Sequence, residues 1–283
     1  MVAKGTRTVI ANLTDAALTF LTLSSSLAVA PPSPAPLQHL HEIVLDRPDG
    51  HLLVAVHSGL YEIPRWVAHP TLTGSDGGQR DVTALASFGQ ALYGSGRRAG
   101  VAESSIGLAT SSNHGQTWTS QGFYGHRQLC NLLVTQVAGK LHMFALDARN
   151  TILRSDRGTR RSAAAGVRTT AIQVSGGRLV AATNAGVRTS ADNGATWPPP
   201  GGPAPRLMAR GNPLQGALVG IGARGKVWKD RAGIWFEQGT TPDGPQALTT
   251  IESGGNLTLV VATSHGLQSS PDFGGSWTEV ATW

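Results

Sequence analysis

The 283-residue chain contains a single cysteine, Cys130. That excludes an intramolecular disulfide and any zinc site built mainly from cysteine. Lysine is almost missing: Lys4, Lys140, Lys226 and Lys229 are the only four, so arginine supplies most of the net charge of +6. Charged residues reach only 14% of the chain, where about a quarter is usual. The arginines are scattered, the densest cluster being RGTRR at 157–161, so no nucleic-acid partner is expected. No apolar run approaches the roughly 20 residues that a membrane-spanning helix needs. Tyrosine is also scarce, with only Tyr61, Tyr93 and Tyr124.

What the chain has in quantity is glycine, 36 residues, with 16 prolines, a balance suited to many short strands joined by tight turns. The first 38 residues read differently from the rest. Lys4 and Arg7 precede a mildly apolar stretch, AALTFLTLSSSLAVA (16–30), which ends on a small-x-small tripeptide and runs into PPSPAP (31–36). This order resembles a secretory signal. Asp15 and five hydroxyl residues dilute it, and the alternative is a tail or an extra strand. Residues 1–38 are therefore read as a signal-like or tail segment with a proline-rich linker. The chain is expected outside the cytoplasm if the segment is a signal, and in the cytoplasm otherwise.

An octapeptide recurs three times: SSNHGQTW (111–118), SADNGATW (190–197) and SPDFGGSW (270–277). Trp118 and Trp197 are 79 residues apart, and Trp197 and Trp277 are 80. Degenerate copies fall between them, WKDRAGIW (228–235) with Asp230 and Trp235, and RSDRGTRR (154–161) without the Trp. The true period is thus about 40 residues, the size of a repeat architecture. Apolar hairpins broken by Gly-Gly lie upstream of the copies, as in TTAIQVSGGRLVAATN (169–184), and read as antiparallel strands. One unit is strand, turn, strand, loop, strand, octapeptide, strand. Six units fit, at 39–70, 81–122, 128–162, 168–200, 206–239 and 246–283. The predicted fold is all-β: a six-bladed β-propeller of four-stranded antiparallel blades over 39–283.

The octapeptide itself is chemistry for a turn. Asn or Asp accepts backbone N–H bonds one or two residues on, Gly permits the bend, and Trp packs on the adjacent hairpin. Its pattern resembles the Asp-box, or bacterial neuraminidase repeat, of sialidases and related propellers, a resemblance that covers about 240 residues. It implies that the boxes join the third and fourth strands of each blade, on the face away from any active site. The first two blades, with HLHEIVLDRPDGHLLVAVHSGLYEI (39–63) and DVTALASFGQALYGSG (81–96), resemble more closely a bacterial family of exported Asp-box proteins labelled glycosylhydrolase. His39, His41, His57, Gly59, Leu60, Asp81, Ser95 and Gly96 match that family's pattern. GRRAG (96–100) replaces its Gly-His-Pro, and QLC (128–130) stands where Asp-Phe-His belongs.

If the boxes mark one face, the opposite face is built by the blade-to-blade links and by the loops between second and third strands. Function resides on such loops. Asp81, His41 and His57 are the candidate catalytic residues. His39, Arg97, Arg98, Arg127, Arg149, Arg224 and His265 are candidates for binding a carbohydrate or another anionic small ligand. Asp81 reads either as a general acid or base or as a turn cap. Glu103 or Asp147 would be its partner in an inverting glycosidase. His39, His41 and His57 have metal-ligand chemistry, but hydrogen bonding to backbone or water is the preferred reading, and neither metal nor cofactor is expected. Blades four to six contain no Tyr, so an exo-sialidase, whose nucleophile would be one, is not expected. A monomeric hydrolase or ligand binder is the first reading, and a non-catalytic scaffold with a protein partner the second.

Overall fold

The computed structural model describes Leu37 and residues 39–283, apart from 47–49, 65–68, 74–79, 99–104, 122–127, 138–139, 157–158, 163–167, 212–217 and 243. The signal-like stretch 1–36 and residue 38 therefore lie outside the described residues, as do Glu103 and Arg127. Leu37 is buried beside Leu40, just ahead of the expected start of the propeller.

Among the described residues, twenty-three strands form six sheets, each built from consecutive strands in sequence order. The first holds β1 (Leu40–Asp46), β2 (His51–Val56), β3 (Gly59–Ile63) and β4 (Thr71–Leu72). The second holds β5 (Arg80–Phe88), β6 (Ala91–Arg98), β7 (Ala109–Ser111) and β8 (Thr119–Ser120). The third holds β9 (Leu129–Val137), β10 (Lys140–Asp147), β11 (Ile152–Asp156) and β12 (Thr159–Ser162). The fourth has only β13 (Thr169–Ser175), β14 (Arg178–Thr183) and β15 (Gly186–Ser190). The fifth holds β16 (Leu207–Arg210), β17 (Leu218–Ile221), β18 (Lys226–Arg231) and β19 (Ile234–Thr240). The sixth holds β20 (Ala247–Ser253), β21 (Asn256–Ala262), β22 (Gly266–Ser270) and β23 (Thr278–Thr282). Every pairing is antiparallel. This is the six-bladed propeller expected from the 40-residue period, with strand limits within two residues of the units read from the sequence in every blade but the fourth, whose last strand ends at Ser190.

The fourth blade departs from the expected four strands. Its outer strand shrinks to one bridge, Val187 with Gly201, in which each residue donates its N–H to the other's carbonyl at 2.8 and 2.9 Å. The cause is local: Pro198, Pro199 and Pro200 offer no N–H to a ladder.

The core lies between blades. Second strands are the most buried elements, with Leu52 to Val56 all at 2% exposure or less, because they are covered by a neighbouring blade on each face. Leu40, Ile43, Leu52, Val54 and Ile63 of blade one pack with Ala247, Val260, Ala262, Leu267 and Ala281 of blade six, and this contact closes the ring. Among the described residues no strand is exchanged there. Gln246 instead accepts the Leu40 N–H through its side-chain oxygen at 3.0 Å.

The repeated octapeptides form the turns after the third strands. In each, a Ser hydroxyl accepts the Gly N–H four residues on (Ser111 from Gly115, Ser190 from Gly194, Ser270 from Gly274, at 2.7–3.0 Å). The Asn or Asp carboxamide or carboxylate accepts the N–H of Thr117, Thr196 or Ser276 at 2.9–3.0 Å. These bonds hold the Asp192 carboxyl well below the usual range, Thr196 chiefly, and bring that of Asp272 down to about 2, through Ser276 first. In the degenerate copy Asp230 accepts the Gly233 N–H at 2.7 Å. The turns are thus a structural device made from their own residues.

Candidate functional site

Inner strands run from the blade-linking face toward the face carrying the octapeptide turns. The loops between second and third strands join the blade links on the opposite face. There the structure brings together residues of two blades. His41 stands near the start of β1, His57 in the turn between β2 and β3, and Asp81 near the start of β5. His57 Nδ1 lies 2.7 Å from Asp81 Oδ1, His41 Nε2 lies 3.3 Å from His57 Nδ1, and His41 Nε2 lies 3.5 Å from the same carboxylate oxygen. The two imidazoles meet edge to face with centroids 4.4 Å apart, and the His39 ring stands 5.1 Å from that of His57. Water reaches all three side chains, which are 24%, 49% and 18% exposed for His41, His57 and Asp81.

Two backbone features place these groups. The pairing of β1 with β2 slips between Leu40 and Glu42, so His41 is the extra residue of a β-bulge. The same slip recurs at Thr83 in β5, Cys130 in β9 and Thr170 in β13. Bulges re-aim a side chain without ending the strand. Thr83 and Thr170 spend theirs on neighbouring carbonyls, of Leu129 at 2.6 Å and Pro205 at 3.1 Å, whereas His41 turns to His57. Gly96 supplies the second feature: a Cβ there would stand 2.0 Å from the Asp81 carbonyl oxygen, so glycine alone lets β6 come this close.

Burial lowers the pKa of His41, with the neighbouring His57 adding to the effect and Asp81 opposing it. The imidazole is therefore biased toward its neutral form. Cys130, whose thiol burial pushes up, also feels the charges of Asp147, Arg97 and Asp81, which puts the second and third blade entries in one electrostatic neighbourhood.

The expected binding residues are more dispersed. Arg97 donates to Gln128 at the blade-two to blade-three junction. Arg149 is exposed in the turn after β10, beside Gln128 and Asp147 in a shallow depression of about 240 Å³. Arg224 lies in a 3-10 turn (223–225) and shares a depression of about 380 Å³ with Arg206, Gly244 and Pro245. His265 is exposed in the turn after β21, where its N–H is donated to Thr263 Oγ1 at 3.1 Å. The side chain of Arg98 lies outside the described residues. The described arginines thus occupy separate depressions around the rim, each with its own neighbours. Asp147, the carboxylate paired with Asp81 in the inverting-glycosidase expectation, is buried, and its Oδ1 accepts the N–H groups of Arg149 and Thr151 at 3.0 and 2.9 Å. It caps its turn.

One carboxyl that the sequence reading passed over stands in the channel. Glu42 on β1 accepts a hydrogen bond from Asn131 Nδ2 on β9 at 3.2 Å, and Asn131 Oδ1 accepts the Ile172 N–H of β13 at 3.4 Å. Burial pushes the Glu42 carboxyl up to about 8, against the opposing Asn131 bond. Below it the channel widens to a cavity of about 620 Å³, lined by Gln173, Arg210, Thr249, Thr250 and Glu252 among others. This cavity lies toward the turn-bearing face, the one the sequence reading set aside. The available signal was a charged residue in an otherwise apolar inner strand, HEIVL.

No protein-family model matches the chain, nor does any curated protein sequence. Solved structures do resemble it. A GH74 enzyme from Niastella koreensis superposes with a TM-score of 0.59 at 18% identity, over 85% of this chain and 45% of that one. The GH74 xyloglucanase from Xanthomonas campestris gives 0.56 at 15%, over 87% and 38%. BBS1N, solved in complex with ARL6DN, gives 0.56 at 13%, over 81% and 74%. The chain spans less than half the length of these GH74 enzymes. At such identities the likeness is one of fold.

Proposed function

We propose that this is an Asp-box propeller that binds a carbohydrate or another anionic ligand at the channel mouth opposite its boxes, and that glycoside hydrolysis is the reaction the site serves. The observation that carries the reading is the Asp81 carboxylate of blade two meeting His57 and His41 of blade one at a solvent-reached surface. A carboxylate 2.7 Å from an imidazole nitrogen can take, hold and pass on a proton at that position, which is the work of general acid–base catalysis. The GH74 neighbours support the substrate class through fold alone. Export belongs to the same reading, and cell fractionation of the native protein tests it.

The test is a screen of β-glucans, xyloglucan and acidic oligosaccharides for binding and for release of reducing ends, followed by Asp81→Asn and His57→Ala. The reading expects binding or hydrolysis reduced at least about 100-fold in both variants, within the usual worth of a general acid or base. Sugar turnover unchanged in Asp81→Asn would remove these residues from catalysis. Absence of any bound sugar or anion would remove the function.

A second reading, a non-catalytic scaffold for a protein partner, has its own support. Ile234 and Phe236 on β19, the outer strand of blade five, are 63% and 46% exposed, and BBS1N was solved in complex with another protein. Substituting both by Ser separates the readings, since it leaves the channel mouth untouched.

A further inference from the structure

We propose that His41 Nε2, His57 Nδ1 and Asp81 Oδ1 form a binding site for one divalent transition-metal ion of the zinc type, with an open position facing solvent. The inference deepens the reading of the channel mouth given above, because it uses the same three residues, but it stands or falls by ion binding rather than by sugar chemistry.

The geometry is the first ground. The three ligand atoms are separated by 3.3, 2.7 and 3.5 Å. Zinc bonds to imidazole nitrogen and carboxylate oxygen run to about 2.0–2.2 Å, so two ligands of a tetrahedral ion stand about 3.3–3.6 Å apart. Two edges of the observed triangle match one face of that tetrahedron, and the third, His57 to Asp81 at 2.7 Å, would have to widen by about 0.7 Å. An ion about 2.1 Å from all three atoms would sit about 1 Å off their plane.

Proton bookkeeping is the second ground. A neutral imidazole nitrogen is either a donor or an acceptor. If His57 Nδ1 carries a proton it can serve Asp81, and His41 Nε2 then either faces a donor or brings its own proton to the same carboxylate oxygen at the longer distance of 3.5 Å. If His57 Nδ1 carries none, it faces the carboxylate with a lone pair. A proton on either nitrogen satisfies at most part of the triangle, whereas a cation placed above it satisfies all three lone pairs at once.

Chemistry and placement complete the argument. Two imidazoles and one carboxylate are a ligand set of catalytic zinc sites, which keep a fourth position for water or substrate. Here the half-exposed His57 side chain leaves that position on the solvent side. The ligands come from two blades, and the β-bulge at His41 and the glycine at 96 hold them. Such an ion would supply a bound water of lowered pKa or a Lewis acid for a ligand oxygen. The His39 ring stands beside His57, ready to contact whatever fills the open position.

The experiment uses the tag-free full chain, stripped with a chelator and titrated with Co2+ by visible absorption and with Zn2+ by calorimetry. One equivalent should bind with a Kd in the micromolar range or tighter. His57→Ala, Asp81→Asn and His41→Ala should each weaken binding at least about 100-fold, while His51→Ala, at the start of β2 on the other face, should leave it unchanged. His57 lies in an exposed turn and Asp81→Asn keeps shape, so these two variants carry the test if His41→Ala fails to fold. The inference is overturned if no saturable binding occurs, if the three variants bind as the wild type does, or if His51→Ala loses the ion equally. An ion bound by a chain that turns over no sugar upholds the site while the hydrolytic reading falls. Hydrolysis by the stripped chain, with no Co2+ taken up, does the reverse.

Discussion

Asp81 of the second blade reaches His57 of the first at 2.7 Å. The contact joins two blades that also meet through apolar side chains such as Leu53, Leu60, Val82 and Leu85 and, at the turn-bearing end, through His114 Nδ1 and Asp46 Oδ2 at 2.7 Å. It is the polar rim of an apolar seam, so disturbing the seam disturbs the site.

Gly96→Ala is the sharpest way to do so. A methyl group there meets the Asp81 carbonyl oxygen, and a backbone atom cannot move aside as a side-chain tip can. The variant is expected to lower Tm by several degrees and to abolish the His57–Asp81 contact, read from His57 ring resonances in NMR. Gly201→Ala, with nothing within 4 Å of the added carbon, is expected to leave the resonances in place.

Asp272→Ala removes the acceptor of the Ser276 N–H and hydroxyl bonds, and a Tm loss of a few degrees is expected at neutral pH, with Asp272→Asn losing less. Asn113 fills the same position in the first octapeptide. The sign with pH follows from a folded pKa depressed from 3.8 to about 2. The charge-dependent part of the stability is present above the unfolded value and fades as pH falls through that window. Thermal melts of Asp272→Asn and wild type should therefore converge near pH 2.

Glu42→Gln keeps an acceptor for Asn131 and carries no charge, while Glu42→Ala leaves Asn131 Nδ2 without its partner. The first is expected to fold as well as the wild type and the second to lose stability. Here the folded pKa is raised, from 4.5 to about 8, so the wild type loses stability as pH climbs between those values. The Tm advantage of Glu42→Gln should grow across that interval and level off above it.

Gln246→Ala removes the acceptor of the Leu40 N–H. A loss of about 1 kcal/mol is expected, the usual worth of one such bond. Hydrogen exchange should show it first at Leu40 and its neighbours in β1 and β20.

The sequence made the fold legible because its period is written in turn chemistry. Ser, Asp or Asn, Gly and Trp must recur wherever a third strand turns into a fourth, and counting them counts blades. The fourth blade broke the count of strands for an equally local reason, its proline run. The meeting of His41, His57 and Asp81 was legible as a set of loop residues on one face, though not as a triangle of atoms. That depends on a bulge and on a glycine whose neighbour lies 15 positions earlier in the chain. The spread of the arginines was not legible, because a shared face does not imply a shared pocket: Arg149 and Arg224 sit in separate depressions. Glu42 was hidden for a different reason. Its partner Asn131 on β9 lies 89 positions away, and the Ile172 N–H that Asn131 accepts in turn comes from β13, beyond any local pattern.

The seam between first and last blades has one further meaning. Among the described residues each of those blades is complete without the other, since no strand crosses between them. The ring is therefore fastened like a necklace whose clasp is made of side chains, and its latch is weaker than the links inside any blade. Under load or mild denaturant the molecule should first spring open there into a curved ribbon of six intact sheets.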